Sequence, residues 1–120
     1  MPYRAIVAKE LAEMLGVLAH PHRIRIIEEL RDGERDVKSI QAVLGITHSG
    51  VSQHLMALRA RRLVSERRQG RQVFYRLRQP ELATWLTEAM HFLEDSVAAA
   101  QLHKAIKRTR AAWATEDGAH

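Results

Sequence analysis

The sequence predicts a mainly α fold carrying one β-hairpin, and three observations lead there. Residues 36–63, DVKSIQAVLGITHSGVSQHLMALRARRL, read as two short helices joined at Gly45. From Val64 the helical spacing gives way to two alternating runs around Gly70, the pattern of a hairpin. Apolar stripes of helical period run before and after this core. The predicted order is helix, helix, helix-turn-helix, hairpin, helix. A hairpin placed directly after the second helix of a helix-turn-helix is a wing, so the predicted class is a winged helix-turn-helix.

The first helix is expected over residues 3–19, with Val7, Leu11, Met14, Leu15 and Leu18 as its stripe and Lys9, Glu10 and Glu13 in water. His20-Pro21 interrupts it. Pro21 suits the first position of a second helix, where its missing N–H costs nothing. Ile24, Ile27 and Leu30 line that helix with Ile26 beside them, and Asp32-Gly33 ends it.

Val37, Ile40, Val43 and Leu44 are the apolar set of the third helix. Gly45 follows it because the turn needs positive φ, where a Cβ would clash. Thr47 suits an N-cap. Beyond it Val51, Leu55 and Leu58 share one face of the fourth helix. Ser49, Gln53, Met56 and Ala60 occupy the opposite face, flanked by His48, Ser52 and Arg59 on one side and His54 on the other. Small polar residues near the N-terminus of such a helix are the plan of a DNA-recognition helix. Gly50 inside it should cost up to about 1 kcal/mol relative to Ala. In the hairpin, Val73, Tyr75 and Leu77 alternate onto one face and Phe74 and Arg76 onto the other.

Pro80 opens an expected long final helix striped by Leu82, Trp85, Leu86, Ala89, Met90, Leu93 and Val97, with Leu102 and Ile106 continuing it. Lys104, Lys107, Arg108 and Arg110 make its end basic, and residues 115–120 are expected to fray. The role of the extension beyond residue 97 is left open.

At 120 residues the prior is one domain over 1–120, with terminal helices at 1–19 and 80–113, the helix-turn-helix at 36–63 and the wing at 64–77. Hydrophobic residues make up 46% of the chain, enough for a modest core that dimerisation would complete. A net charge of +5 favours an anionic partner, double-stranded DNA first. There is no Cys, which excludes disulfides, thiolate metal sites and thiol redox sensing within this chain. No apolar run approaches the roughly 18 residues of a membrane span, and the N-terminus lacks a signal peptide's apolar core. A cytoplasmic location without a membrane partner is expected.

Arg59, Arg61, Arg62, Arg67, Arg68, Arg71, Arg76 and Arg78 crowd one stretch against a single acid, Glu66. Guanidinium groups fit phosphate as a fork and can read guanine edges. Arg67, Arg68 and Arg71 bracket the hairpin tip, from which they would reach the DNA backbone or minor groove. The bland alternative is a solvated basic hairpin. Thr47, His48, Ser49, Ser52, Gln53, His54 and Arg59 complete the expected DNA contacts. His54 could bind phosphate, donate in a pH-dependent way, or simply pack, since it borders the apolar face.

LAHPHRIRIIEEL at 18–30, VLGITHSGVSQHLMALRARRLV at 43–64 and RRQGRQVFYRL at 67–77 together resemble the bacterial arsenic-repressor (ArsR/SmtB) family of winged-helix regulators. The resemblance implies a homodimer whose first and last helices pair across a two-fold axis, so that Leu11, Met14, Leu15 and Leu18 meet Leu82, Trp85, Leu86, Met90 and Leu93 between subunits. It also implies a repressor of a two-half-site operator, released by an inducing signal. The chain departs from the pattern in three places. Relatives that sense metals by thiolate carry Cys before the turn, where this chain has Arg35-Asp36-Val37-Lys38. The zinc-sensing branch has Asp and His on the last helix, where this chain has Gln79, Glu81, Phe92 and Asp95. Arg62 stands where many relatives have a helix-ending Gly.

Other readings compete with an operator-binding repressor whose inducer is unidentified. A His/carboxylate metal switch would use His91, Glu94, Asp95 and His103, of which His91 and Glu94 have usable i, i+3 spacing; surface histidines explain them more simply. His20-Pro21-His22 is a weaker candidate, because Pro21 is explained by the helix start. A protein-interaction module would not need the wing arginines. An apolar effector near Trp85 stays open. No cofactor is implied. An enzyme is disfavoured: no nucleophile, base and orienting group fall together, and Ser52 and His54 point to opposite sides of a helix.

Overall fold

The computed structural model describes residues 2–94 and 100–118. The chain clusters into two compact units, Met1–Gln79 and Pro80–His120.

The first unit contains α1 (Pro2–Leu18), α2 (Pro21–Glu29), β1 (Arg35–Asp36), α3 (Val37–Leu44), α4 (His48–Ala60), β2 (Val64–Gln69) and β3 (Gln72–Leu77). Pro21 opens α2 as expected, and the residue before it supplies the cap: His20 Nδ1 accepts from His22 N–H at 3.1 Å. Asp36 caps α3, accepting from Ser39 N–H at 3.2 Å and from the Ser39 hydroxyl. Gly45 ends α3 at φ 68°, the left-handed conformation that the turn demands. The core is Ile26, Ile27, Leu30, Ile40, Val51, Leu55, Leu58 and Val64, all fully buried, with Leu18, Tyr75 and Leu77 around them. Ile24, expected to line α2, is exposed instead, because the buried face is centred on Ile26, Ile27 and Leu30 and Ile24 lies across the helix from Ile26.

The hairpin belongs to a three-stranded antiparallel sheet of order β1-β3-β2. β1 pairs Arg35 with Tyr75 and Asp36 with Phe74. Two residues are too few to show alternation in sequence, so this strand escapes pattern reading. β2 and β3 run in register from Val64↔Leu77 to Gln69↔Gln72, leaving Gly70 and Arg71 as the turn. Gly70 has φ +62°, as the first position of a two-residue hairpin loop requires.

The second unit holds α5 (Glu81–Ala89), α6 (His91–Glu94) and α7 (Ala100–Gly118). The expected single long helix is therefore broken. The Thr87 hydroxyl bonds back to Ala83 C=O at 3.1 Å, a contact that bends helices, just before α5 stops. Arg110 bonds both Glu94 and His91, which precede it by 16 and 19 residues. A continuous helix would hold His91 and Arg110 about 28 Å apart, so α6 and α7 lie side by side. Ile106 and Trp113, seven residues apart on α7, are buried. α7 remains helical to Gly118, past the expected fraying at 115. Asp95 and Val97 lie outside the described residues. No helix among the described residues is long and apolar enough to cross a membrane.

Candidate nucleic-acid interface

α4 is anchored by one face and open on the other. Val51, Leu55 and Leu58 are fully buried, while His48, Ser49, Gln53, Met56, Arg59 and Ala60 are exposed. Thr47 Oγ1 accepts from Gly50 N–H at 3.0 Å, closing the N-cap. The same cap explains the glycine: a Cβ at Gly50 would sit 3.1 Å from Thr47 Oγ1 and 3.5 Å from Ile46 Cδ1.

The C-terminus of α4 is as well defined. Leu63 N–H bonds Leu58 C=O at 3.0 Å and Arg62 N–H bonds Arg59 C=O at 2.9 Å. These are the paired bonds of a Schellman motif, and they force Arg62 to φ 59°, the one non-glycine residue at positive φ among those described. Arg61 then ties this end to α1, through Glu10 C=O at 2.8 Å, the Glu10 carboxylate at 3.2 Å and Glu13 at 3.6 Å.

In the wing, tertiary acids meet arginines that look unopposed in sequence. Glu34, just ahead of β1, takes Arg67 in a fork at 3.0 and 2.6 Å, and the same guanidinium lies 4.6 Å from the centre of the Phe74 ring. Arg67 holds the Glu34 carboxyl below its ordinary range by hydrogen bonding. Glu66 is a second hub. It accepts from Tyr75 Oη at 2.8 Å, Arg59 at 3.0 Å and Arg68 at 3.3 Å. The Tyr75 hydrogen bond, followed by the arginines, lowers the Glu66 pKa. Burial first, and Glu66 second, push Tyr75 up to about 12. Arg67 and Arg68 are thus held against the sheet, whereas Arg71 in the turn has no side-chain partner among the described residues.

Between α4, the start of α3 and the wing lies a cleft of about 270 Å³, lined in part by Lys38, His48, Ser52, Arg68, Arg71 and Tyr75. It brings Ser52 and His48 of the helix together with Arg71 of the wing, and adds Lys38 from the start of α3. Nothing in the sequence ties Glu34 to Arg67 across 33 positions or marks Lys38 as a wall of this cleft.

The model for bacterial regulatory proteins of the arsR family matches residues 20–66, which contain α2 to α4 and the first residues of β2. A transcriptional repressor SmtB homolog of Synechocystis is 35% identical over 74% of this chain and 67% of its own length. The transcriptional repressor SmtB of Mycobacterium tuberculosis is 40% identical over 71% of this chain and 64% of its own. A homodimeric winged helix-turn-helix DNA-binding domain from Mycobacterium bovis superposes with a TM-score of 0.68 at 26% identity, covering 79% of this chain and 88% of that one. This chain belongs to the arsR family. The match spans about two thirds of the length of the curated SmtB proteins.

As an arsR-family member the chain is a transcription regulator with a winged helix-turn-helix, not an enzyme. Several other residues expected at sites are accounted for by the fold. Arg110 occupies both His91 Nε2 and Glu94, placing a guanidinium where the alternative His/carboxylate switch would hold its metal; His103 is exposed on α7. The group of possible metal ligands that does converge among the described residues is His20, His22 and His54. His54 packs against both other rings and accepts from Arg23 Nε at 3.2 Å. Burial first, then the charges of His20, Arg23 and His22, lower its pKa. It therefore faces α2, away from the stripe of Ser49 and Gln53.

On the helices expected to pair between subunits, Leu18 is buried and Met14 half-buried, while Leu11 and Leu15 are exposed. In the second unit Leu82, Leu86 and Met90 are half-buried, and Trp85 and Leu93 are 45% and 47% exposed.

Proposed function

We propose that this chain is a homodimeric, cytoplasmic repressor that reads a two-half-site operator with α4 in the major groove. The observation that carries the reading is the outward stripe of α4. His48 and Ser52 line a cleft shared with Lys38 and Arg71, and Ser49 and Gln53 stand exposed on the same helix. Gln53 can pair bidentately with adenine, and Ser49 and Ser52 suit base edges or phosphate. Thr47 and Arg59 lie at the two ends of the helix, near where phosphates would run. Arg67 and Arg68 would meet DNA by exchanging a carboxylate for a phosphate, and His54 supports the helix from behind.

Dimerisation is supported by the outer face of α1, where Tyr3, Ile6, Val7, Leu11 and Leu15 are all exposed, Val7 by 61%. An apolar face of this extent calls for a partner. We place Leu11, Met14, Leu15, Leu18, Leu82, Trp85, Leu86, Met90 and Leu93 in that interface. The inducing signal is not thiol-based, since the chain has no Cys.

The test is fluorescence anisotropy with duplexes from the chain's own upstream DNA against scrambled duplexes. A preference of at least about 10³ is expected. If the dimer neutralises roughly eight phosphates, log affinity should fall against log salt with a slope near −7. Equal affinity for both duplexes would overturn the operator-reading function. A monomer by light scattering at micromolar concentration would overturn the dimer.

A further inference from the structure

We propose that His20, His22 and His54 form a transition-metal site that staples the start of α2 to the middle of the recognition helix. Their candidate ligand atoms all lie within 4.8 Å of one another, and all three residues are half-buried. The ring centroids are 4.4, 5.3 and 5.4 Å apart. Zinc bound tetrahedrally at 2.0–2.1 Å sets ligand nitrogens about 3.4 Å apart, so ring rotation must close at most about 1.5 Å. An all-imidazole set selects Zn²⁺, Ni²⁺ or Cu²⁺ over Mg²⁺ and Ca²⁺. Three protein ligands leave a fourth position for water or an exogenous ligand.

The hydrogen bonds around the cluster show how a metal would enter and what it would displace. A neutral imidazole has one lone pair. That of His20 Nδ1 is used by His22 N–H, and that of His54 Nδ1 by Arg23 Nε–H. The ring protons of both are then on Nε2. A metal can take the His54 Nδ1 lone pair directly, which expels Arg23. Or it can take Nε2 after the proton moves to Nδ1, which then no longer accepts from Arg23. Both routes exchange the Arg23–His54 bond for a metal–nitrogen bond. The like charge of Arg23 opposes the ion as well, and its remaining hold is Val17 C=O at 3.1 Å. Arg23 is therefore a gate: it occupies the site in the metal-free chain and moves when the ion arrives. His20 makes the same exchange at the cost of its helix cap.

The test is calorimetric titration of the tag-free full chain with Zn²⁺ against a competing chelator, with circular dichroism of every variant to verify folding. One zinc per chain is expected, and X-ray absorption should report imidazole nitrogens in its shell. His22→Gln should weaken zinc at least tenfold; it is the mildest ligand change, because the His22 side chain makes no hydrogen bond among the described residues. His54→Gln should do the same. Arg23→Gln should tighten zinc, an opposite sign that general loosening of the fold would not produce. His91→Asn should leave binding unchanged. No stoichiometric uptake by the wild-type chain, or unaltered affinity in both His22→Gln and His54→Gln, would overturn the site. Zinc uptake does not depend on the DNA-binding reading; only an effect of zinc on operator affinity would rest on it.

Discussion

The recognition helix and the wing both face outward with polar side chains, but they are held by different forces. α4 is fixed from behind by Val51, Leu55 and Leu58, and its outward side chains are largely left to solvent. The wing is fixed partly by its own charges: Arg67 is gripped by Glu34, and Arg59 and Arg68 converge on Glu66. Salt does not screen apolar burial, whereas it does screen exposed ion pairs. Salt should therefore loosen the wing while leaving the helix in place. An arginine already paired must also give up a carboxylate to reach a phosphate, so it releases fewer counterions than its charge implies.

The largest effect that would break this contrast is at the buried face. Leu55→Ala should cost about 2–5 kcal/mol in urea unfolding, as a fully enclosed leucine leaves a cavity. Glu66→Ala should come next. It strands the Tyr75 hydroxyl and two guanidiniums, and should cost about 1–3 kcal/mol. The same hub sets two pH limits. Glu66 is ionised more readily when folded, so its contribution is complete above the ordinary carboxyl value of 4.5 and fades as pH falls through the lower folded value. Tyr75 is protonated more readily when folded, so its contribution is complete below 10.0 and is lost as pH rises to about 12. Urea midpoints of wild type and Glu66→Gln across pH should converge at the acid end. Parallel curves there would remove Glu66 as the source.

On the open face, Gln53→Ala should leave unfolding within about 0.5 kcal/mol of wild type yet cost about 1–3 kcal/mol on the operator. A stability loss as large as that of Leu55→Ala would erase the distinction between the two faces. Arg62→Gly should stabilise the chain by up to about 1 kcal/mol, by relieving the left-handed backbone at the end of α4. The smallest and most discriminating change is in the salt slope. Arg71→Ala should reduce it by about 1, and Arg67→Ala by less, because Arg67 starts out paired. Equal reductions would show that pairing within the wing has no bearing on DNA.

The parts governed by local periodicity were readable in sequence. The caps at Thr47 and Gly45, the buried triplet of α4 and the alternation of β3 each depend on neighbours within a turn or two. What could not be read depends on distance along the chain. The Glu34–Arg67 fork joins residues 33 positions apart, β1 exists only because β3 is there to pair with it, and the break after α5 runs against an unbroken apolar stripe. His54 shows the limit within one element. Its place on the border of the apolar face was clear, but its partners His20 and His22 arrive from another helix.

The cap at Thr47 and Gly50 separates two kinds of heritable change. Substitution at Gly50 brings a new Cβ to 3.1 Å from the Thr47 hydroxyl, so a change there must be absorbed by the capping side chain. Gln53, three residues away, is exposed and can be exchanged without disturbing the protein, while Ser49 touches the capping Thr47 hydroxyl at 3.4 Å. A lineage built on this scaffold can thus drift toward new operators by single exposed substitutions, with no compensating change needed in its core.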